Sequence, residues 1–227
     1  MAKDKRGTWT QALLTFFTPL LLIAILRWLI IEPFVIPSGS MIPTLLVHDH
    51  IFVNKLSYGI RYPFSKKYFI RWGSPKVGEI IVFRYPEDPN VFYVKRVQAI
   101  SGDRLKIEKS DLVLNDQIVE RTPSVSFDDE SDAEGFTYFK EREYTVRYKN
   151  AYDGQFAEIT VPQDQVFAVG DNRDQSNDSR FWGSIPLDHV IGKPTLIWLS
   201  CDQPFPGTEM LCDPQTLRFQ RIGKFLL

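Results

Sequence analysis

The sequence is poor in the residues that most often carry out chemistry. Its 227 residues include three histidines and two cysteines, and 27 Lys and Arg balance 28 Asp and Glu. Two cysteines are too few for a thiolate zinc site, and the histidines do not stand at zinc-motif spacing from them. The even charge excludes the broad basic field of a nucleic-acid-binding protein. We therefore expect no metal, no cofactor and no nucleic-acid partner.

The sequence also lacks sustained helical periodicity beyond residue 45. Period-2 runs of Val, Ile, Phe and Tyr, broken by Pro, Gly, Asn and Asp, predict strands there. Asn115-Asp116 fits a tight hairpin turn between two of them. This part of the chain should therefore be mainly β. The predicted strands are residues 50–56, 79–85, 91–100, 104–107, 112–114, 117–120, 136–149, 155–161, 166–169 and 195–199.

Residues 7–26 contain no charged side chain. As a helix, residues 9–28 would measure about 28 Å, close to the ~30 Å hydrocarbon layer of a bilayer, with a tryptophan at each end. Three cations precede it (Lys3, Lys5 and Arg6), so the positive-inside rule keeps the N-terminus in the cytoplasm and places the rest of the chain outside. A cleaved secretory signal is the alternative, but the length of the apolar run favours an uncleaved, single-pass anchor.

The serine loop, residues 36–45 (Ile-Pro-Ser-Gly-Ser-Met-Ile-Pro-Thr-Leu), follows this apolar stretch. Its two prolines and its glycine argue against regular structure. Such a loop can hold a serine hydroxyl at a fixed place beside a membrane, as an acyl-transfer nucleophile acting on a membrane-bound chain would require. A plain linker between anchor and domain is the alternative.

A serine nucleophile needs a base, and a histidine base would have to come from His48, His50 or His189. On a strand, His48 and His50 point to one side and Asp49 to the other, which argues against a triad built from these neighbours. The two histidines could chelate a metal, yet the sequence offers no third ligand at a defined spacing.

Lys95 is the other candidate base. Strand alternation places it on the face of Tyr93 and Val97, whereas Arg96 lies on the opposite face. Either the Lys95 face is exposed to solvent and the Arg96 face is core, or Lys95 is buried and its ammonium form is destabilised. A solvated strand lysine is the more ordinary of the two.

The polar loop, residues 169–183, consists almost wholly of turn-forming and charged residues between two apolar runs. It begins like a calcium loop, but Ser179 and Ile185 stand where such a loop needs Gly and Glu. We predict a rigid loop, held by its own turns and ion pairs, that orients another group.

Two other stretches differ in composition. Residues 123–135 are acidic and should form a mobile loop. Residues 61–72 mix aromatic and cationic side chains, as in a membrane-dipping hairpin or in a core hairpin with solvated lysines. We divide the chain into an N-terminus with anchor (1–31), a β core (32–103 and 162–200), an inserted β subdomain (104–161) and a C-terminal tail (201–227).

Three motifs occur in order along the chain. Residues 37–45 read Pro-Ser-Gly-Ser-Met-x-Pro-Thr-Leu, residues 93–97 read Tyr-x-Lys-Arg-Val with Gly102-Asp103 after them, and residues 170–183 read Gly-Asp-Asn-Arg-Asp-x-Ser-x-Asp-Ser-Arg-x-Trp-Gly. Together they resemble the nucleophile, lysine and last boxes of the bacterial type I signal peptidases. The resemblance runs from the anchor to about Gly192.

The resemblance implies an antiparallel β-sheet catalytic domain of the signal-peptidase type with a β insertion, preceded by one transmembrane helix. The implied activity is that of a serine endopeptidase that removes N-terminal signal peptides from exported preproteins. The implied partners are these preproteins, the lipid bilayer and, functionally, the export machinery. The implied location is the bacterial inner membrane, with the catalytic domain on its outer, periplasmic or extracellular, face.

Carried over residue by residue, the resemblance makes Ser40 the nucleophile and Lys95 the general base. The Ser40 N–H and the Ser38 hydroxyl would form the oxyanion hole. Ser176 would orient the Lys95 amine, and an Asp178–Arg180 pair would hold the polar loop. The pockets for substrate positions −1 and −3 would be lined by Phe34, Ile36, Pro37, Met41, Leu45, Ile51, Tyr93 and Val94.

One departure from the family pattern is visible. After Leu45-Leu46-Val47 the family usually has Gly-Asp, whereas this chain has His48-Asp49, a difference that concerns the local turn. Two other functions remain open: a self-cleaving Ser/Lys repressor protease, against which the anchor argues, and a non-enzymatic anchored β-domain for assembly or scaffolding.

Cys201 and Cys212 are expected to form a disulfide. The domain is predicted to lie outside the cytoplasm, and the pair closes a short loop that contains Pro and Gly.

Overall fold

The computed structural model describes residues 8–62, 65, 67–108, 111–124, 135–149, 156–208 and 211–226, without the side chains of Leu26 and Trp28. The N-terminal cations, the side chain of the second interfacial tryptophan and most of the acidic loop lie outside the described residues.

The uncharged stretch forms helix α1 (Trp9–Ile30). Thr8 and Gln11 make a capping box at its start, with the Gln11 N–H donating to Thr8 Oγ1 at 3.4 Å and the Thr8 N–H donating to Gln11 Oε1 at 3.1 Å. Its large apolar side chains are exposed, consecutive ones included: Leu13, Leu14, Phe16, Phe17, Leu20, Leu21, Leu22, Ile23 and Ile25. Judged by length and apolarity together, no helix in the described part of the chain qualifies as a membrane span.

Antiparallel strands make up most of the remaining described structure, so the prediction of a mainly β protein is confirmed. A short helix, α2 (Ser179–Trp182), interrupts them. The strands are β1 (Ile31–Val35), β2 (Asp49–Asn54), β3 (Gly59–Arg61), β4 (Tyr68–Arg71), β5 (Ile80–Arg84), β6 (Phe92–Ile100), β7 (Arg104–Glu108), β8 (Asp111–Leu114), β9 (Gln117–Ile118), β10 (Arg121–Ser124), β11 (Thr137–Glu141), β12 (Tyr144–Tyr148), β13 (Phe156–Thr160), β14 (Gln165–Val169), β15 (Ile185–Pro186) and β16 (Val190–Ser200).

The largest sheet has seven strands in the order β1-β2-β16-β5-β6-β14-β15. β6, the strand of Lys95, therefore lies between β5 and β14, and β14 leads directly into the polar loop. The smaller sheets have the orders β13-β7-β8-β9, β10-β11-β12 and β3-β4. Strands β7 to β13 all fall within residues 104–161, and the division of the chain into domains stays a prediction.

Some strands differ from the sequence prediction for local reasons. The single strand predicted at 136–149 is a hairpin, because the chain turns back at Arg142, whose φ is 53°. β1 was not predicted, since it continues the apolar run of α1 and contains Pro33. A proline is tolerated there because β1 is an edge strand of the large sheet.

Both faces of the large sheet are covered. On β5, Ile80 and Val82 pack into the cluster under the serine loop, whereas Ile81 and Phe83 pack into a second cluster on the other face. This explains why residues 80–83 form an unbroken apolar run instead of an alternating one. On the β3–β4 hairpin, by contrast, Tyr62, Phe69, Ile70 and Trp72 are at least 50% exposed.

Residue 48, where this chain has His and the family usually has Gly, lies in the turn before β2. His48 has a φ of 64°, in the left-handed region that favours glycine. The next residue, Asp49, is fully buried and receives hydrogen bonds from Arg221 Nη2 at 2.6 Å and from Ser200 Oγ at 2.7 Å. The C-terminal tail thus packs against the large sheet, where Leu226 is also buried.

Candidate active site

The serine loop leaves the sheet at the end of β1 and makes a short 3-10 turn at Gly39–Met41. Apolar side chains on either side fasten it to the core, since Ile36 and Met41 are 3% and 1% exposed. The turn carries Ser40 at its centre. The loop is therefore a fixed part of the domain, and the linker alternative is wrong.

Lys95 lies directly against this serine. Its Nζ donates a hydrogen bond to Ser40 Oγ at 2.6 Å, and the residue is 4% exposed. Burial lowers the pKa of Lys95 from 10.5 to about 8, while the carboxylates of Asp178 and Asp171 act in the opposite direction. The solvated-lysine alternative is wrong: Lys95 is buried.

Of the two alternatives that strand alternation on β6 offered, the structure confirms the buried lysine, and it shows that the face of Arg96 is buried as well. Arg96 is 2% exposed, so the lysine face and the arginine face are buried together. Arg96 forms a two-pronged ion pair with Asp171, with Nε–Oδ1 at 2.8 Å and Nη2–Oδ2 at 2.7 Å. The Thr44 hydroxyl donates to the same carboxylate. This pair links the middle of β6 to the polar loop and to the serine loop.

Asn172 was not singled out from the sequence, yet it ties the two loops together. Its backbone N–H donates to the Ser40 carbonyl at 3.1 Å, and its Nδ2 donates to the Gly39 carbonyl at 2.9 Å. A side-chain amide inside a run of turn formers gave no signal of this role. Contact with the backbone of a loop 130 residues earlier becomes visible only in the folded chain.

The polar loop is held from two sides. Arg180 Nε donates to Asp178 Oδ1 at 2.8 Å, and Asp178 Oδ2 accepts the Gly170 N–H at 2.9 Å. Arg173 forms a buried ion pair with Glu141 of β11, with Nη2–Oε2 at 2.5 Å. The small β10–β12 sheet thereby supports the loop that contacts Ser40.

Ser176 lies beside the candidate dyad without a hydrogen bond to it. A Cβ at Gly170 would collide with both Ser176 Oγ and the Ser40 carbonyl, so these groups flank the same glycine. Ser176 Oγ is buried and has no hydrogen-bond partner among the described residues. Its predicted role in orienting the Lys95 amine stays a prediction.

A cleft of about 590 Å³ opens at Ser40 and Lys95. Six of the eight residues predicted to bind substrate line it: Phe34, Ile36, Pro37, Met41, Tyr93 and Val94. The other two, Leu45 and Ile51, are not among the residues that line the cleft, and both are fully buried beneath it in the cluster that includes Ile36 and Met41. Ser38 also lines it, with its Oγ 3.4 Å from Ser40 Oγ.

None of the three histidines lines this cleft. His48 Nδ1 lies 3.2 Å from the Asp202 carbonyl, and His189 Nδ1 lies 3.2 Å from the Arg84 carbonyl. His50 Nε2 is 3.5 Å from Sγ of Cys212, which is joined to Cys201 in a disulfide. The residue in contact with the Ser40 hydroxyl is thus a lysine.

A serine hydroxyl held against a buried amine, in a cleft with apolar walls, is an arrangement that fits one class of protein, the serine hydrolases. A model of the family described as "Signal peptidase, peptidase S26" matches residues 9–199. The chain belongs to the peptidase S26 family and is a signal peptidase, an enzyme of the serine peptidase class. Its substrates are therefore preproteins that carry signal peptides.

Individual relatives agree with this assignment. Signal peptidase I of Pseudomonas fluorescens is 39% identical over 208 residues, which cover 84% of this chain and 72% of the relative. The Pseudomonas aeruginosa enzyme is 37% identical, over 92% of this chain and 76% of the relative. The crystal structure of a signal peptidase I from Enterococcus faecalis, 22% identical, aligns with a TM-score of 0.38 over 53% of this chain and 97% of that one.

Proposed function

We propose that this enzyme cleaves signal peptides with a Ser40/Lys95 dyad. Lys95 removes the proton from the Ser40 hydroxyl as the oxygen attacks the scissile carbonyl, and it returns that proton to the leaving amine. The observation that carries the proposal is the 2.6 Å hydrogen bond between Lys95 Nζ and Ser40 Oγ at a lysine that is 4% exposed.

The lowered pKa makes this chemistry feasible at neutral pH. A lysine with an ordinary pKa is unprotonated in about 1 molecule in 2,500 at pH 7. A pKa of about 8 raises the neutral fraction to roughly one molecule in ten. Burial of the amine supplies the shift, because an ammonium removed from water is destabilised.

The remaining roles follow from the positions of the groups around Ser40. The tetrahedral intermediate would place its oxyanion near the Ser40 N–H and the Ser38 hydroxyl, which lies 3.4 Å from Ser40 Oγ. Asp178 and Arg180 would hold the polar loop, and Ser176 would orient the neutral amine. The apolar walls of the cleft would accept small side chains at positions −1 and −3.

We further propose that α1 anchors the catalytic domain in the bacterial inner membrane, with the domain on the outer face and a functional link to the export machinery. Support comes from the large apolar side chains exposed at consecutive positions along α1, since consecutive positions point to different sides of a helix and so leave apolar groups all round it. Retention of the full chain in membranes after an alkaline carbonate wash would be expected, and its release would contradict the anchor.

Cleavage of a preprotein in detergent tests the dyad. Wild type should cut at the end of the signal peptide, and Ser40→Ala should not. Ser74→Ala is the matched control, because Ser74 is exposed and does not line the cleft. A Ser40→Ala variant that cuts at the control rate would contradict the proposal.

The apolar pockets are tested with substrates that differ at position −1. Phe in place of Ala would displace the scissile carbonyl, and a shift of about 1 Å can cost on the order of 100-fold in rate. Equal kcat/KM for the two substrates would show that the residues assigned to the pocket do not select the side chain.

A further inference from the structure

Three side chains that are distant in the sequence meet beside β2: His50, Cys201 and Cys212. One ligand-capable atom from each, the imidazole nitrogen and the two Sγ atoms, lies within 4.8 Å of the other two. The cluster is separate from the catalytic cleft, which none of the three residues lines. The dyad proposal gives it no role.

This is a donor set that zinc favours when the sulfurs are reduced, namely two thiolates and one imidazole. With Zn–S near 2.3 Å and Zn–N near 2.0 Å, tetrahedral geometry separates a nitrogen ligand from a sulfur ligand by about 3.6 Å. His50 Nε2 and Cys212 Sγ are 3.5 Å apart. His50 Nε2 therefore already lies at the distance from Cys212 Sγ that two ligands of one zinc ion require.

The surroundings of the cluster hold these ligands in place. Cys201 and His50 are 1% and 4% exposed, whereas Cys212 is half-buried. The Trp198 ring packs edge-on against the His50 ring, with 5.2 Å between centroids. His50 lies on β2, Cys201 directly follows β16, and Cys212 is the ligand-capable residue of the three that is partly exposed to solvent.

We propose that the reduced form of this protein binds one zinc ion through His50 Nε2 and the thiolates of Cys201 and Cys212, with solvent as fourth ligand. A dithiol supplies two electrons and two protons that convert the disulfide into two thiols, and the dithiol itself becomes a disulfide. Zinc then displaces both thiol protons into solution. Disulfide and zinc are thus alternative cross-links between Cys201 and Cys212, and the zinc would in addition tie both residues to His50 of β2.

Cobalt titration of the full-length protein in detergent tests the site. The protein is reduced with dithiothreitol, freed of it by gel filtration under argon, and titrated with Co²⁺. We expect one equivalent to bind with a thiolate-to-cobalt charge-transfer band in the near ultraviolet, which added Zn²⁺ removes. The oxidised protein should show no such band, because its sulfurs are bonded to each other.

Histidine variants identify the third ligand. His50→Phe keeps a ring against Trp198 but removes the nitrogen ligand, and it should weaken Co²⁺ binding by about tenfold or more. His48→Asn is the matched control, since asparagine tolerates the positive φ at that position. It should bind Co²⁺ like wild type. His50→Gln serves as a second variant if His50→Phe does not fold.

Thermal unfolding gives a readout that does not depend on spectra. Zn²⁺ should raise the Tm of reduced wild type and of reduced His48→Asn, but not that of reduced His50→Phe. A reduced wild type without a charge-transfer band overturns the proposal. So does a folded His50 variant that binds Co²⁺ as tightly as wild type.

Discussion

Lys95 and Arg96 are neighbours on β6 and both are buried, yet they occupy opposite faces of the sheet and different chemical settings. Arg96 donates two hydrogen bonds to the carboxylate of Asp171 and lies 3.9 Å from the centroid of the Tyr144 ring. Lys95 donates instead to a neutral hydroxyl, and burial lowers its pKa to about 8. Arg96, bonded to a buried carboxylate, therefore holds the structure together, whereas Lys95, buried against a hydroxyl, becomes a candidate base because lysine can lose its proton.

Replacing the lysine should have the largest effect. Lys95→Arg keeps the positive charge, but arginine cannot give up its proton in proteins, so no base remains beside Ser40. We expect kcat/KM for preprotein cleavage to fall by about 10⁴-fold or more. Near-normal rates in a folded Lys95→Arg enzyme would contradict the Ser40/Lys95 dyad.

Breaking the Arg96–Asp171 ion pair, on the opposite face of β6 from Lys95, should mainly reduce stability. Arg96→Met leaves the Asp171 carboxylate buried without its two-pronged partner, which should lower the free energy of unfolding by about 3–5 kcal/mol. Arg104→Met is the matched control, because the Arg104–Asp116 pair is exposed and should cost less than about 1 kcal/mol. Denaturant unfolding measures both, and equal losses would remove the contrast between buried and exposed pairs.

The pH dependence of activity and of stability should reflect Lys95 and not Arg96. Activity should rise with pH as Lys95 loses its proton near pH 8. Between about pH 8 and 10.5 the unfolded chain binds a proton at this lysine that the folded chain does not, so stability should rise with pH in that window by up to about 3 kcal/mol. Denaturant unfolding of wild type and Lys95→Met across the window measures this, since the variant should lack the rise.

The smallest effect is expected from the ring that lies over Arg96. Tyr144 donates a hydrogen bond from its hydroxyl to Gln98 Oε1 at 3.0 Å, and Gln98 is fully buried. Tyr144→Phe should therefore cost about 1 kcal/mol of stability. It should leave the acidic limb of kcat/KM where it is in wild type. A shift of that limb along the pH axis would mean that residues on the Arg96 face of β6 also affect the pKa of Lys95.

Strand periodicity predicted the β character of the chain well, because alternation and turn residues are local signals. It succeeded for β5, β6 and β14, which carry or adjoin the candidate site. It missed the turn at Arg142 inside a long β-prone run, since no Gly or Pro marks that position. It also missed β1, whose apolar residues continue those of α1.

Burial was predicted less well than strand position. Alternation on β6 led to a choice between a buried Lys95 face and a buried Arg96 face, but clusters on both sides of the large sheet bury the two together. Leu45 and Ile51 were assigned to the substrate pockets from their motif positions; both are fully buried in the cluster under the serine loop, and their part in binding substrate stays a prediction. Motifs locate residues along the chain, whereas the direction of each side chain depends on what packs against it.

The sequence by itself determined the strands, the serine loop, the polar loop and the family to which the chain belongs, because these depend on residue order and local conformation. Tertiary structure alone decided which groups meet: the Lys95 amine with the Ser40 hydroxyl, Asn172 with the serine loop, and His50 with the Cys201–Cys212 bond. The physical reason is that hydrogen bonding and burial act over a few ångströms. Contacts between residues 55 to 162 positions apart exist only after the sheet order has formed.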